Sequence, residues 1–386
     1  MQQAVNRFFS RLHGDKFIWL SIFGLIAFSL LAVYSSTESL AFRERGGSLF
    51  YYLIKHLFVM GLGFVVMYVA HLINYKYFSR LSQIFLFIAI PLLVYTLFFG
   101  TNINEARRWI TLPVINLTFQ TSDFAKLALI MYTARVLSKK QNQIKKLKEA
   151  FLPIILPIVV VCILIAPADL STAVLLFFTC IVILFIGRVK TAHIFATFGL
   201  GAVMLALLIG ILSFGPEQGR LETWKQRIED FDKDGPFQIQ QAKIAIVKGG
   251  VVRLAPGKST QRNYLPHPYS DFIYAIIIEE YGLLGGAIVI FLYLVLLYRC
   301  IRIVIKSPRA FGALLAVGLG FSLVVQAFVN MGVNVHLLPV TGLTLPMVSM
   351  GGSSIWFTGL ALGMILSASK SAEEHLIKVK TQHVSK

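Results

Sequence analysis

Charge is what this sequence has least of. Only 14% of its 386 residues are Asp, Glu, Lys or Arg, and the acids number just 18. Soluble domains carry about 25% charged residues, so a water-soluble enzyme and a disordered scaffold are both excluded. Cysteine is scarce too. The three present, Cys162, Cys180 and Cys300, sit within or at the end of apolar runs, with neither a pairing pattern nor metal-ligand spacing. A disulfide or zinc framework is therefore not expected, and no metal site is assigned. There is no internal repeat, which disfavours transporter folds built from duplicated halves. No polar stretch is long enough to fold as a soluble domain of its own.

Apolar residues are abundant, at 56% of the chain, with a mean hydropathy of +0.74. A bilayer core of about 30 Å needs about 20 mostly apolar residues per helix. Suitable runs lie at 17–36, 57–74, 82–100, 122–137, 150–167, 171–187, 191–213, 272–298, 310–334 and 344–368. The expected fold is all-α: a polytopic membrane protein of about ten transmembrane helices. The first run follows a basic segment but is long enough to span and has no small-residue cleavage site after it, so it reads as a span rather than a signal peptide.

The 36 Lys and Arg give a net charge of +18. In a soluble protein that would suggest nucleic acid. In a membrane protein it marks cytoplasmic loops facing anionic lipid, and no nucleic-acid partner is expected. With the N-terminus inside, 21 of the 36 fall in cytoplasmic segments and only Arg43, Arg45, Arg107 and Arg108 in the short outer loops. Both termini are thus expected in the cytoplasm. The chain reads as one membrane domain over 1–386, with a cytoplasmic segment 1–16, a large extracytoplasmic loop 214–270 and a cytoplasmic tail 369–386, surface-bound or disordered. The spacing of Gly359 and Gly363 suits close helix packing.

Polar residues at membrane depth or its edge are costly without a role. Four groups stand out, all outward in this topology. In the first, Arg107 and Arg108 beside Trp109 could clamp phosphate oxygens through guanidinium hydrogen bonds, or form an interfacial belt. Asp123 and Lys126, three residues apart, could pair on a helix and so admit a lysine to a span. In the second, Asp169 in Pro167-Ala168-Asp169-Leu170 could contact substrate or a bound cation, or cap the next helix.

The third group is the long loop. Gln238 and Gln241 lie on a short amphipathic stretch. His267 precedes Asp271, which opens an apolar helix carrying Glu279 and Glu280. Asp271 could be only a cap, but a helix N-terminus also favours an ionised carboxylate, as a proton acceptor requires. In the fourth group, Gln326, Asn330 and Asn334 share one helical face. The Pro/Gly-broken stretch 339–354, with Ser353, follows them. This pattern describes irregular backbone around a cavity, or interhelical hydrogen bonds. The residues alone imply an outward polar cavity and do not separate a transporter from a membrane-embedded enzyme.

In this order, the segments Ala106–Trp109, Leu265–Glu280 and Gln326–Ser354 resemble the shape, elongation, division and sporulation (SEDS) family, which includes FtsW and RodA. The resemblance covers nearly the whole chain. It implies a peptidoglycan glycosyltransferase of the bacterial cytoplasmic (inner) membrane that polymerises lipid II on the outer face. It also implies a class B penicillin-binding protein and other divisome proteins as partners. Asp271 falls on the aspartate of the family's outer-loop motif, its catalytic residue. Arg108 and Trp109 match its Arg-Trp element, Lys126 the lysine after its Pro-Ser-Glu-Phe-like stretch, and Asp169 its Pro-Asp-Leu-like turn. Gln238 and Gln241 match loop glutamines, and Ser353 belongs to the terminal Gly-Gly-Ser-Ser.

The chain departs from the pattern in places. Gln120-Thr121-Ser122-Asp123 stands for Gln-Pro-Ser-Glu, Met350 for a tyrosine, and His267 for a glutamate. Gly342-Leu343-Thr344-Leu345-Pro346 is more similar to the division branch than to the elongation branch. The reaction so implied is an inverting displacement with Asp271 as general base. Arg107 and Arg108 face the diphosphate leaving group, and Lys126, Asp169, Gln238, Gln241, His267, Glu280, Asn330 and Ser353 form the substrate cavity. No cofactor is assigned, and a divalent cation, Mg or Mn, could share the leaving-group charge. The alternative function is a lipid II flippase or another polytopic transporter of lipid-linked substrates.

Overall fold

The computed structural model describes residues 13–37, 49–103, 106–112, 117–144, 146, 149, 151–214, 218–232 and 235–384. Of the charges used to orient the chain, Arg7, Arg11, Arg43, Arg45, Lys145, Lys148 and Lys386 lie outside the described residues.

The apolar runs fold as helices: α1 (Lys16–Ser36), α2 (Leu49–Leu72), α3 (Tyr75–Phe99), α4 (Thr121–Lys139), α5 (Leu152–Ile165), α6 (Leu170–Ile186) and α7 (Thr191–Phe214). The amphipathic α8 (Gln218–Asp232) and α9 (Phe237–Gly249) follow, then α10 (Ile273–Lys306), α11 (Ala310–Asn334) and α12 (Ser353–Val384). Short polar side chains start several of them by satisfying amides that have no intrahelical partner. Asp15 accepts from Phe17 N at 2.9 Å, Asn74 from Lys76 N at 3.1 Å, and Asp169 from Thr172 N at 3.1 Å.

Each of the ten expected spans falls on a helix, but length and composition do not establish ten crossings. Among the described residues seven helices are long and apolar enough to span a bilayer: α1, α2, α3, α7, α10, α11 and α12. Two more, α5 and α6, are apolar but shorter, and α4 carries Asp123, Lys126, Arg135 and Lys139. The chain is a multi-pass membrane protein. The expected run 344–368 is corrected at its start. Pro346 and the glycines 351–352 keep residues 335–352 irregular, and α12 begins only at Ser353. In the tail, α12 continues to Val384, so that part of it is helical.

A small sheet accompanies the helices where no strand was expected. Strands β1 (Thr101–Ile103), β2 (Ala106–Leu112) and β3 (Leu117–Gln120) pair antiparallel in that order, with Trp109 opposite Gln120. In the helical core, α12 lies so close to α2 that a Cβ on Gly359 would stand 2.4 Å from Gly63 O, and one on Gly363 2.4 Å from Met67 O. This is the packing role expected of that glycine pair.

The two ends of the bundle differ in chemistry. At one end Asp15 accepts from Arg299 Nε at 2.6 Å, its backbone N–H donates to Ser369 Oγ, and Ser367 Oγ donates to Ile73 O. The opposite end gathers the sheet, the α5–α6 turn, residues 257–272 and the 341–352 segment. All four of the polar groups read from the sequence are at that end.

Candidate functional site

Asp271 precedes α10 by two residues. The N-cap position belongs to Phe272, and no side chain caps the helix there. The Asp271 carboxylate is therefore not spent on capping. Half-buried, it accepts a hydrogen bond from Ser270 Oγ at 2.8 Å and lines a cavity of about 280 Å³.

The backbone around Asp271 is held by the amides of α11. Asn330 Nδ2 and Asn334 Nδ2 each donate to Asp271 O at 2.9 Å, which uses both acceptor positions of that carbonyl. Asn330 also donates to Leu343 O at 2.7 Å, and Asn334 Oδ1 accepts from Ala275 N at 3.1 Å. One turn earlier, Gln326 Nε2 donates to Thr344 O at 3.0 Å. The i, i+4, i+8 spacing thus becomes a row of clamps joining α11 to the start of α10 and to the broken stretch before α12. Ser349 Oγ donates to Ser270 O at 2.6 Å, and Met350 N to Tyr269 O at 2.9 Å. Beneath them Ser29 Oγ donates to Val348 O at 2.8 Å, and His56 Nε2 lies 2.9 Å from that hydroxyl.

Across the cavity lies the sheet. Arg108, Trp109, Thr118 and Gln120 line it, together with Asp123, Asp169 and Thr172. Arg108 Nη1 donates to Asp169 Oδ2 at 2.9 Å, while Asp169 Oδ1 caps α6. The capping role read for Asp169 is present in one oxygen, and the other oxygen holds Arg108. Arg108 Nε is buried with no partner among the described residues, so the guanidinium keeps donors beyond the one held by Asp169. Arg107 lies on β2, and its side chain is outside the described residues.

The remaining expected site residues divide. His267, held at φ +54° with Nδ1 3.2 Å from Tyr269 OH, lines the same cavity. Lys126 stands just behind it, buried, 3.3 Å from Asp123 Oδ1 and 2.9 Å from Gln326 Oε1. Both of those partners line the cavity, so the lysine balances its wall. Ser353 is buried and accepts from Gln120 N at 3.2 Å, joining the sheet to α12. Gln238 lines a separate space of about 170 Å³ with Arg227, Asp230 and His336, and Gln241 lines neither. Glu280 is buried away from the cavity, where it accepts from Ser35 Oγ and from Ser259 N. Its neighbour Glu279 accepts from Thr260 N, Ser259 Oγ and Thr260 Oγ1. These carboxylates fold the loop ahead of Asp271.

Thr118, Gln120, Tyr269 and Thr172 line the cavity without having been singled out as site residues. Thr118 and Gln120 alternate along β3, a period-two signal that four residues are too few to reveal. Among the described residues no three of His, Cys, Asp and Glu come together as a metal centre. No step is assigned to a divalent cation.

Residues 15–374 match a family model described as cell cycle protein, FtsW/RodA/SpoVE. Stage V sporulation protein E of Bacillus subtilis is 33% identical over 351 residues, covering 90% of this chain and 94% of that protein. A probable peptidoglycan glycosyltransferase FtsW of Geobacter sulfurreducens is 34% identical over 367 residues, covering 92% and 95%. Among solved structures, a chain of a peptidoglycan synthase complex that coordinates polymerization and crosslinking superimposes with a TM-score of 0.72 at 23% identity, covering 92% of this chain and 98% of that one. At that identity the likeness is one of fold.

Proposed function

The chain belongs to the FtsW/RodA/SpoVE family of cell cycle proteins, and from that footing we propose that it is a peptidoglycan glycosyltransferase that polymerises lipid II. The observation that carries the reading is Asp271. Its carboxylate is free of capping duty, faces a polar cavity, and is fixed through its own carbonyl by Asn330 and Asn334. A general base must be positioned before its basicity counts, and this clamp positions it.

In the proposed reaction Asp271 takes the proton from the 4-hydroxyl of the acceptor GlcNAc as that oxygen attacks the anomeric carbon of the donor MurNAc. The bond to the undecaprenyl diphosphate breaks on the opposite face, giving a β-1,4 linkage with inversion in one displacement. Negative charge then collects on the departing diphosphate. Arg108, on the facing wall, supplies guanidinium donors for it. Asp169 holds Arg108 in place, and Lys126 keeps the wall from carrying unbalanced Asp123. Gln238, in the separate space beside α8, belongs to the loop surface near the reaction rather than to its centre.

The cavity end is assigned to the outer face of the bacterial cytoplasmic membrane, with both termini and the basic segments on the inner face. The relatives named FtsW support the division branch. The fold match to a synthase complex supports a class B penicillin-binding protein as the partner that crosslinks the product.

The test is polymer formation from lipid II by purified protein, alone and with the transpeptidase. Asp271→Asn should lower the rate by about 10²–10⁴-fold, the usual worth of a general base, with unchanged thermal stability in detergent. Undiminished polymerisation by that variant would remove Asp271 from the reaction. Lipid II translocation without polymerisation by the native chain would favour the flippase reading.

A further inference from the structure

The end of α9 and the loop from it to the 3₁₀ turn at Gln261–Asn263 carry apolar side chains that no described residue covers. Val247, Val251, Val252 and Leu254 are 80%, 71%, 67% and 84% exposed. A water-facing loop rarely shows so continuous an apolar patch.

Its depth can be read from the helices beside it. At one end of the bundle Asp15, which caps α1, holds Arg299 of α10. At the other end Ser35 of α1 hydrogen-bonds Glu280 of α10. Lys16 to Ser35 is nineteen helical steps, about 28 Å at roughly 1.5 Å per step, close to the thickness of a hydrocarbon core of about 30 Å. Leu283 and Leu284 lie three and four residues past Glu280 towards Arg299 and are therefore on the core side of that level.

The loop reaches that depth. Gly282 breaks α10 with φ +70° and ψ −177°, a conformation open essentially to glycine alone. The break frees amides that must be satisfied at membrane depth. Gly250 O accepts from Leu283 N at 2.9 Å, and Val251 O from Leu284 N at 3.1 Å. Ala255 N returns the contact by donating to Glu280 O at 3.0 Å. The backbone of Gly250 and Val251 is thus laid against α10 beyond Glu280, with Ala255 level with Glu280. Its apolar side chains run on into the exposed face formed by Leu283, Leu284, Ile288 and Phe291. Lys248, Arg253 and Lys258 flank the tip. Lys248 Nζ donates to Thr260 Oγ1 and Arg253 Nη1 to Lys248 O, each at 2.9 Å. Cations ringing an apolar tip are the pattern of an element seated at a lipid headgroup boundary.

We propose that residues 247–255 form a lipid-inserted wedge. Val247, Val251, Val252 and Leu254 dip into the acyl chains of the leaflet on the cavity side, with Lys248, Arg253 and Lys258 at the phosphates. The wedge seats in the bilayer the loop that Glu279 and Glu280 fold and that ends at Asp271. The inference stands on the hydrogen bonds to the broken helix and does not depend on the reaction proposed above.

Single-cysteine labelling tests it, because Cys162, Cys180 and Cys300 are all buried. Leu254→Cys and, independently, Val252→Cys would be labelled with an environment-sensitive fluorophore in the full chain. Gln240→Cys, on the exposed face of α9, serves as the aqueous reference. The proteins would be reconstituted in phosphatidylethanolamine–phosphatidylglycerol vesicles. The labels at 252 and 254 should emit to the blue of the label at 240. They should be quenched by a lipid carrying a nitroxide near the headgroup end of its acyl chain and be insensitive to aqueous iodide, with the label at 240 showing the reverse. Quenching of 252 and 254 by iodide and not by the nitroxide lipid would overturn the proposal and leave the patch as a surface for a protein partner.

Discussion

Arg108 and Asp169 are 61 residues apart in sequence and 2.9 Å apart in space, and the oxygen of Asp169 that does not hold the arginine caps α6. One carboxylate therefore does two separable jobs, and substitutions can divide them. Asp169→Asn retains a good N-cap and loses the anion beside the guanidinium. Stability should be nearly unchanged, while kcat/KM for lipid II falls by roughly 10- to 100-fold, the worth of a charged hydrogen bond of about 1.5–3 kcal/mol. Asp169→Ala should lose the same activity and, in addition, about 1 kcal/mol of stability from the missing cap. Polymerisation rates and detergent melting curves of the two variants check both parts.

The clamp on Asp271 is duplicated. With Asn334→Ala the Asp271 carbonyl keeps Asn330, and with Asn330→Ala it keeps Asn334. Each single variant should polymerise at a reduced rate. The double variant should lose more than the sum of the two, because the carbonyl is then left without either amide at a cost of about 1–3 kcal/mol. A double-mutant cycle on polymerisation rate measures that coupling. Strict additivity would mean that the two amides do not share the job.

Lys126 and Asp123 are both buried and 3.3 Å apart. Lys126→Met strands a carboxylate and should destabilise the chain by about 3–5 kcal/mol. Adding Asp123→Asn removes the orphan charge and should restore most of the loss in thermal stability, whatever its effect on activity. Size-exclusion profiles after heating, compared across the two single variants and the double, decide this.

Two glycines of α2 face opposite surroundings. Nothing lies within 4 Å of a Cβ on Gly61, whereas Gly63 presents its carbonyl to Gly359 across the α2–α12 crossing. Gly61→Ala should be neutral or slightly stabilising within the helix. Gly359→Val must push α2 and α12 apart and should cost about 1–3 kcal/mol, read as a drop in detergent melting temperature relative to the Gly61 variant.

Much of the fold was legible in the sequence because its signals are local. Apolar run length places a helix wherever a bilayer or core must be crossed, and Asp169 marks a helix start by chemistry confined to three residues. The shared face of Gln326, Asn330 and Asn334 follows from helical spacing alone. The limits were local as well. Leu345 and Val348 extended an apolar run that Pro346, Gly351 and Gly352 interrupt, so the start of α12 was placed too early. The sheet at 101–120 was missed because its strands are too short to show a period.

What only the tertiary structure decided is which groups meet. Nothing in the spacing of Asn330 says that its amide reaches Asp271 O and Leu343 O. Nor does spacing say that Lys126 meets Gln326, 200 residues away, that Glu280 turns from the cavity to Ser35, or that Gly250 and Val251 complete the broken α10. Helix propensity and hydropathy are properties of neighbours along the chain. A buried polar group is satisfied by whatever helix packing brings within about 3 Å, and that is fixed only when all the helices are in place.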